Sequence, residues 1–312
     1  MKKILFLLII SCTLFLVGCT KDSTKIKIMI PSGAPTLGFV KMIHENEEIM
    51  DYKMDYEITS GPDLLVSAMT SKSHQIVIAP TNLGAKIYQS NESYQFAGTI
   101  TFGNLYLVSN EEFSLNDLEN ETIYAFGKGG TPEILLKKVL EFNDLDNVNI
   151  EFLNGVDDVN VGFNAGTYSH VLLAEPVLSV VKSKKEVYIV SDLQTEYEII
   201  SGNNSYPQAG VFIDKDFINK NQKFVEKFLS ELQDSINLVN NDKESIADMY
   251  ISEELSPKFP KQVIIDSIPG SNISFMSSSD SKTIIEDYFK IIQDFNSNLI
   301  GGKLPDEEFY YD

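Results

Sequence analysis

Residues 122–132 read TIYAFGKGGTP. Thr122 to Phe126 favours a β-strand, Gly127 to Gly130 forms a glycine turn around Lys128, and Pro132 opens an amphipathic run to Phe142. That is strand, turn, helix. Thr131 is placed to cap the helix, with Pro132 at its first position, where a missing N–H costs nothing. Free backbone donors and the positive end of the helix dipole would then face the space outside the strand's carboxyl end. The run lacks the G-x4-G-K-[ST] spacing of a P-loop, and Lys128 is at least as well read as a solvated turn lysine as a ligand cation.

The unit repeats along the chain. KIKIMI (25–30) alternates polar and apolar residues before Pro31-Ser32-Gly33-Ala34-Pro35-Thr36, and a helix is expected over 37–45. YKMDYEIT (52–59) is a second strand, punctuated by Ser60-Gly61-Pro62 and followed by a short helix. QIVIA (75–79) ends at Pro80-Thr81-Asn82, and strands at 97–101 and 104–109 flank Phe102-Gly103, a crossing point. Beyond it the rhythm restarts, with strands at 122–126, 148–153, 171–174, 186–190 and 210–213. Such βα alternation predicts parallel sheets covered by helices, and its running twice predicts two small α/β lobes. The last third differs: a long amphipathic helix is expected over 219–240, a small strand at 273–276 and a final helix over 282–295.

The amino end reads as an address. Lys2-Lys3, an apolar run and Leu16-Val17-Gly18-Cys19 describe a secretory signal of residues 1–18, followed by a polar tether over 19–24. The apolar run is too short for a confident spanning helix, which needs about 20 residues. The two cysteines are Cys12 and Cys19. Once Cys12 is removed and Cys19 lipidated, no thiol is left for a disulfide, a metal or a nucleophile, so the exported fold rests on its packed core.

Charge sets a further bound. The chain carries 25 basic and 45 acidic residues, a net −20, and loss of Lys2 and Lys3 takes it to −22. A nucleic-acid partner is excluded, since that function begins with a basic footprint. All 25 basic residues are lysine. No guanidinium fork is therefore available to clamp a carboxylate, sulfonate or phosphate.

The ordered set of motifs resembles a known family: the extracytoplasmic solute-binding proteins of ABC importers, in the branch that takes nitrate, sulfonates, taurine and thiamine-pyrimidine compounds. The matching stretches are the lipobox at Cys19, Pro31 to Pro35, Ile78 to Ala85, Gly127 to Pro132, Ala174-Glu175-Pro176, Tyr206 to Phe212 and the carboxyl-terminal IGGKLPDEEFYY. The resemblance implies an α/β, two-lobed type II periplasmic-binding-protein fold, each lobe a small mostly parallel sheet flanked by helices, with two hinge crossings. Residues 25–103 plus 212–312 would form one lobe and 104–211 the other. It further implies a ligand in the cleft whose identity the resemblance does not fix, a permease and ATPase as partners, and a monomer held by lipid on Cys19 to the outer face of the cell membrane. No cofactor is expected.

Ligands of open α/β sheets sit outside the carboxyl ends of strands. Four proline-containing loops qualify, although turn punctuation alone would account for any one of them. They supply Ser32, Gly33, Ala34, Pro80, Thr81 and Asn82 from one lobe, and Gly129, Gly130, Thr131 and Glu175 from the other. Glu175 can accept from a ligand N–H or cap its own helix, Tyr206 is the expected aromatic wall, and Asn104, like Phe102, sits at a crossing where it can touch ligand or tune the hinge. An enzyme is not expected: no catalytic or metal residues are assigned. His44, His74 and His170 lie in no metal-ligand spacing, with His44 and His74 expected at the surface, and no G-x-S-x-G elbow occurs. The cysteine cluster of the family's pyrimidine-making relatives is missing. The ligand reading leans to a neutral or weakly charged heteroaromatic solute, thiamine-pyrimidine-like, with alkanesulfonate, taurine or nitrate as the alternative, and a sensory or adhesive lipoprotein as a different class.

Overall fold

The computed structural model describes residues 25–312, so the expected signal, lipobox and Cys19 anchor lie outside the described residues. The chain begins with β1 (Lys25–Pro31), α1 (Ala34–Leu37), α2 (Val40–Glu45), β2 (Lys53–Thr59), α3 (Pro62–Ser71), β3 (Ile76–Pro80), α4 (Thr81–Asn91) and β4 (Tyr94–Thr101). After the first crossing come β5 (Leu105–Ser109), β6 (Thr122–Ala125), α5 (Thr131–Phe142), β7 (Asn149–Phe152), α6 (Val156–Asn164), β8 (His170–Ala174), α7 (Val177–Lys182), β9 (Tyr188–Asp192) and α8 (Leu193–Ser201). The returning chain forms β10 (Ala209–Asp214), α9 (Lys215–Lys220), α10 (Gln222–Asn241), α11 (Lys243–Ser252), α12 (Lys261–Gly270), β11 (Ile273–Ser277) and α13 (Ser278–Asn296).

Two sheets result, ordered β11-β4-β10-β3-β1-β2 and β7-β6-β8-β5-β9. They are mixed rather than mostly parallel. β1 pairs in parallel with β2 and β3, but β10 runs antiparallel to β3 and β4, and β11 antiparallel to β4. In the second sheet β5 is antiparallel to both β8 and β9. The cause is the crossing itself: β4 leads out of the first sheet at Thr101 and β10 re-enters beside it at Ala209, so the two must oppose each other. Periodicity within a strand carries no record of that.

Local sequence explains most elements. Ile26, Ile28 and Ile30 of β1 bury into one face of the first sheet and Met29 into the other. β3, buried throughout IVIA, is the continuous apolar run expected of a strand covered on both faces. On α10, Phe224, Phe228, Leu232, Ile236 and Val239 form one buried stripe. The helix expected over 219–240 breaks at Asn221, whose amide donates to Phe217 O while its oxygen accepts from Tyr52. The helix expected over 37–45 divides at Gly38 and Phe39, where the Ser235 hydroxyl donates to Gly38 O at 2.6 Å and draws the backbone onto α10. α8 was not anticipated. Its signals were Asp192, whose carboxylate caps the Gln194 N–H, and the buried pair Leu193 and Tyr197.

α13 ties the two sheets together. It packs over β4, and one hydrophobic cluster runs from Phe96, Phe212 and Phe289 through Tyr288, Tyr206 and Tyr197 to Leu136 on α5. The carboxyl tail closes the first sheet, with Phe309 stacked on Phe96 and the Tyr311 N–H donating to Phe96 O. Of the histidines, His44 is exposed and pairs with Glu253 at 2.8 Å. His74, expected at the surface, is buried between Ser73 and Glu57.

Candidate functional site

Strand register sets where the loops gather. Pro31 is level with Thr59 across β1 and β2, and Ala209 is level with both Pro80 and Thr101. In the second sheet Leu105, just past the first crossing, is level with Ala174. The ends of β1, β2, β3 and β8 therefore lie beside the two crossings that join the lobes.

In the first lobe, the Ser32 N–H donates to Thr59 O at 2.8 Å, and the Thr36 hydroxyl to Pro31 O at 3.0 Å. Gly33 adopts φ 106° with open space where a side chain would stand, a conformation that favours glycine. Ser32, Gly33 and Pro80 are half-buried, whereas Ala34, Thr81 and Asn82 are buried. The Thr81 hydroxyl is already committed, donating to Pro207 O at 2.7 Å, and the Thr81 N–H donates to Gln208 O. Asn82 turns its amide to Leu299 O. These two side chains clamp the returning crossing and the carboxyl-terminal turn.

The TIYAFGKGGTP loop departs from expectation in its chemistry. Gly130, not Thr131, is the N-cap of α5, and Thr131 sits inside the first turn with Pro132. The Thr131 hydroxyl accepts a 2.8 Å hydrogen bond from Tyr288 of α13. The expected free donor at Gly129 is occupied: its N–H donates to Glu133 Oε2 at 2.6 Å, and Lys137 pairs with Glu133 Oε1 at 2.6 Å. Burial pulls the Glu133 carboxyl upward, but the Lys137 hydrogen bond, the Gly129 N–H and the nearby lysine charges outweigh it and hold the group below its ordinary value. The loop carries its own anion. Lys128 is exposed.

Glu175 is buried beside the first crossing. Its N–H donates to Asn104 O, and the Asn104 amide returns to Glu175 O. The carboxylate accepts from the Ser179 N–H and hydroxyl, both at 3.0 Å, so it caps its own helix. Gly270 at the end of α12 lies against it: a Cβ there would stand 3.1 Å from Glu175 Cγ. The Tyr106 hydroxyl donates to Gly270 O at 3.0 Å, closing a contact between the lobes. Burial pushes the Glu175 carboxyl up to about 7, against the Ser179 hydrogen bonds and the Lys182 charge. Asp266 adds to the upward pull.

Tyr206 is not an open aromatic wall. Its ring is fully enclosed, 5.3 Å from Tyr197 and 6.2 Å from Tyr288, and a Cβ at Gly103 would collide with it. It packs the hinge because the fold brings Tyr288 of the last long helix against the neighbouring pair Tyr197 and Tyr206. At or just beyond strand ends, Thr59 Oγ1, Thr101 Oγ1, Asn104 Oδ1 and Gln208 Oε1 are enclosed without a hydrogen-bond partner among the described residues. Thr59 and Thr101 escaped sequence reasoning because they lie in no motif, and Gln208, inside the Tyr206–Phe212 stretch, was passed over for Tyr206. Their signal was their place at the ends of apolar runs.

No family model matches the chain, and no curated protein matches its sequence. Solved structures do. An ABC transporter protein from Parabacteroides distasonis shares 22% identity over 93% of this chain and 99% of its own, with TM-score 0.80. The fold is that of a periplasmic binding protein. The periplasmic aliphatic sulphonate-binding protein SsuA from Escherichia coli matches at 13% identity, 92% of each chain and TM-score 0.73. The periplasmic nitrate-binding protein NrtA from Synechocystis PCC 6803 matches at 11% identity, 88% of this chain and 82% of its own, with TM-score 0.66. Among the described residues no cluster of His, Cys, Asp and Glu is arranged to hold a metal, and no helix is long and apolar enough to cross a membrane.

Proposed function

We propose that this chain is the solute-binding protein of an ABC importer. Residues 25–103 with 212–312 form one lobe and 104–211 the other. They close on one small molecule, and the closed form is presented to a permease and its ATPase. The observation that carries the reading is the set of unpartnered polar atoms, Thr59 Oγ1, Thr101 Oγ1, Asn104 Oδ1 and Gln208 Oε1, at or beside strand ends near the two crossings. Buried polar groups require partners, and the fold is shared with sulphonate- and nitrate-binding proteins. Closure follows from ligand contacts made in the closed state and not in the open one. The chain does no chemistry on its ligand. It acts as a monomer outside the cell membrane, tethered by lipid on Cys19.

For the ligand we propose a neutral or weakly charged heteroaromatic molecule of the thiamine-pyrimidine kind. Glu133 already occupies the Gly129 N–H, the chain has no arginine, and Glu175 and the Asn104 oxygen are acceptors suited to ligand N–H groups. Ser32, Gly33, Pro80 and Gly130 complete the proposed lining, with the buried Ala34, Thr81, Asn82 and Thr131 supporting it from beneath. The likeness to sulphonate- and nitrate-binding proteins favours an anion as the second reading. Calorimetry of the purified protein with hydroxymethyl-pyrimidine and with taurine separates the two, and small-angle scattering reports closure. Binding of taurine alone overturns the ligand assignment. No binding and no compaction with any of the family's solutes at about millimolar concentration overturns the transport reading.

A further inference from the structure

An open cavity of about 400 Å³ lies at the hinge; it adjoins Glu175 through Gly270 and Asn104 through Gly103, but its lining includes none of the residues proposed for the cleft. Its apolar wall includes Phe102, Ile268, Pro269 and Met276. Amides and hydroxyls supply the rest, with Gln194, Asn204 and Ser205 coming from the second lobe and the returning crossing, and Asn240, Asn272 and Ser274 from the first. Its size falls within the range of small-molecule sites, about 300–1,000 Å³. No ionisable side chain lines it, in a chain where 22% of residues are charged. Comparable cavities elsewhere carry Asp287, Asp294 and Lys138, or Asp214, Asp216 and Lys72, or Asp158.

The polar groups of the wall are oriented. The Asn240 amide donates to Ile236 O and Ile273 O, and the Asn272 amide donates to Gly103 O at the first crossing. Gln194 is held at both ends, its Nε2 donating to Asn204 O and its Oε1 accepting from Ser205. Asn240 commits both amide N–H groups and Asn272 one of two, and among the described residues nothing donates to the side-chain carbonyl oxygen of either. An occupant with donors of its own meets these two oxygens, a net charge on it would find no compensating charge in the wall, and an apolar face would lie on Phe102, Pro269 and Met276.

We propose that this hinge cavity is a second small-molecule site, separate from the cleft, for a neutral molecule with N–H or O–H donors and one flat apolar face. Because its walls come from both lobes, the occupant fits one lobe arrangement better than another and biases closure. The site stands independently of the cleft ligand, so failure of either reading leaves the other intact.

The test uses the full-length protein with ¹³C-methyl methionine, the Met276 signal being assigned by Met276→Leu. Three flat probes share one ring: benzamide is neutral with donors, benzoate is anionic without them, and benzamidinium is cationic with them. Benzamide is expected to shift the Met276 methyl with an affinity at least about tenfold above benzoate and benzamidinium, and to change the radius of gyration in scattering. Ser274→Trp, at an exposed rim position, is expected to abolish the shift, and the smaller Ser274→Leu to weaken it should the tryptophan fail to fold. An unmoved Met276 methyl at about 10 mM benzamide, or equal shifts from all three probes, overturns the site. A Met276 shift with an unchanged radius of gyration overturns the coupling to closure.

Discussion

Replacing Glu175 with glutamine removes one proton equilibrium from the contact between the lobes. The folded carboxyl titrates near 7 against an ordinary value of 4.5, because burial between Ser179 and Gly270 penalises its charge. The charged groups that act on it are Lys182 on its own helix and Asp266 on α12. A carboxyl raised in the folded state binds its proton more tightly folded than unfolded. Its contribution is therefore fully present below 4.5 and is lost as pH rises through 7. At about 1.36 kcal/mol per pH unit the whole span is worth about 3 kcal/mol, of which about 2 kcal/mol falls between pH 5.5 and 8.5. That interval keeps so acidic a chain soluble. Urea unfolding followed by circular dichroism at both pH values, for wild type and Glu175→Gln, isolates the residue from the other carboxylates, whose titration is common to both proteins. The wild type is expected to lose about 2 kcal/mol relative to the variant as pH rises. Absolute stabilities at one pH decide nothing, since glutamine also alters the Ser179 hydrogen bonds. Parallel pH curves, differing by less than about 0.5 kcal/mol, would refute the burial of an ionisable group at this contact.

Glu133→Ala removes the partner of the Gly129 N–H and of Lys137, and is expected to cost about 1–2 kcal/mol in urea unfolding at neutral pH. The Glu133 carboxyl is held below its ordinary value, so its contribution exists above 4.5 and fades as pH falls through the lowered value. The deficit of the variant should shrink in acid, and a constant deficit would mean that the carboxylate's charge is irrelevant. Tyr288→Phe deletes the hydroxyl that donates to Thr131 and is expected to cost about 1 kcal/mol; adding Thr131→Val should cost little more, and fully additive losses would show that the two hydroxyls are not coupled.

The positions of the loops proposed for the site were legible because their signals are local. Gly33 and the glycines after β6 mark turns by their own backbone freedom, and the apolar runs of β1, β3 and β8 announce where strands stop. Occupancy was not legible. Gly129 offers a donor in sequence, and only the folded first turn of α5 shows Glu133 reaching back to take it. Thr81 is a hydroxyl at a strand end, yet its partner is Pro207, which lies far along the chain and arrives with the returning crossing. Tyr206, beside a proline at that crossing, has the chemistry of an aromatic wall. Its enclosure depends on Tyr197 and on Tyr288 of the last long helix.

The sequence by itself determined the alternation of strands and helices, the division into two lobes, the lack of arginine and the strand-end positions of the loops. Each of these follows from side-chain period, turn chemistry or composition, all of which act within a few residues. The tertiary structure decided which strands oppose one another, which donors remain free and which carboxyl is buried. Those outcomes depend on groups brought together through two crossings and one helix that spans both lobes. TIYAFGKGGTP belongs to both accounts: its strand, turn and helix are local, while Tyr288 on Thr131 is the work of the fold.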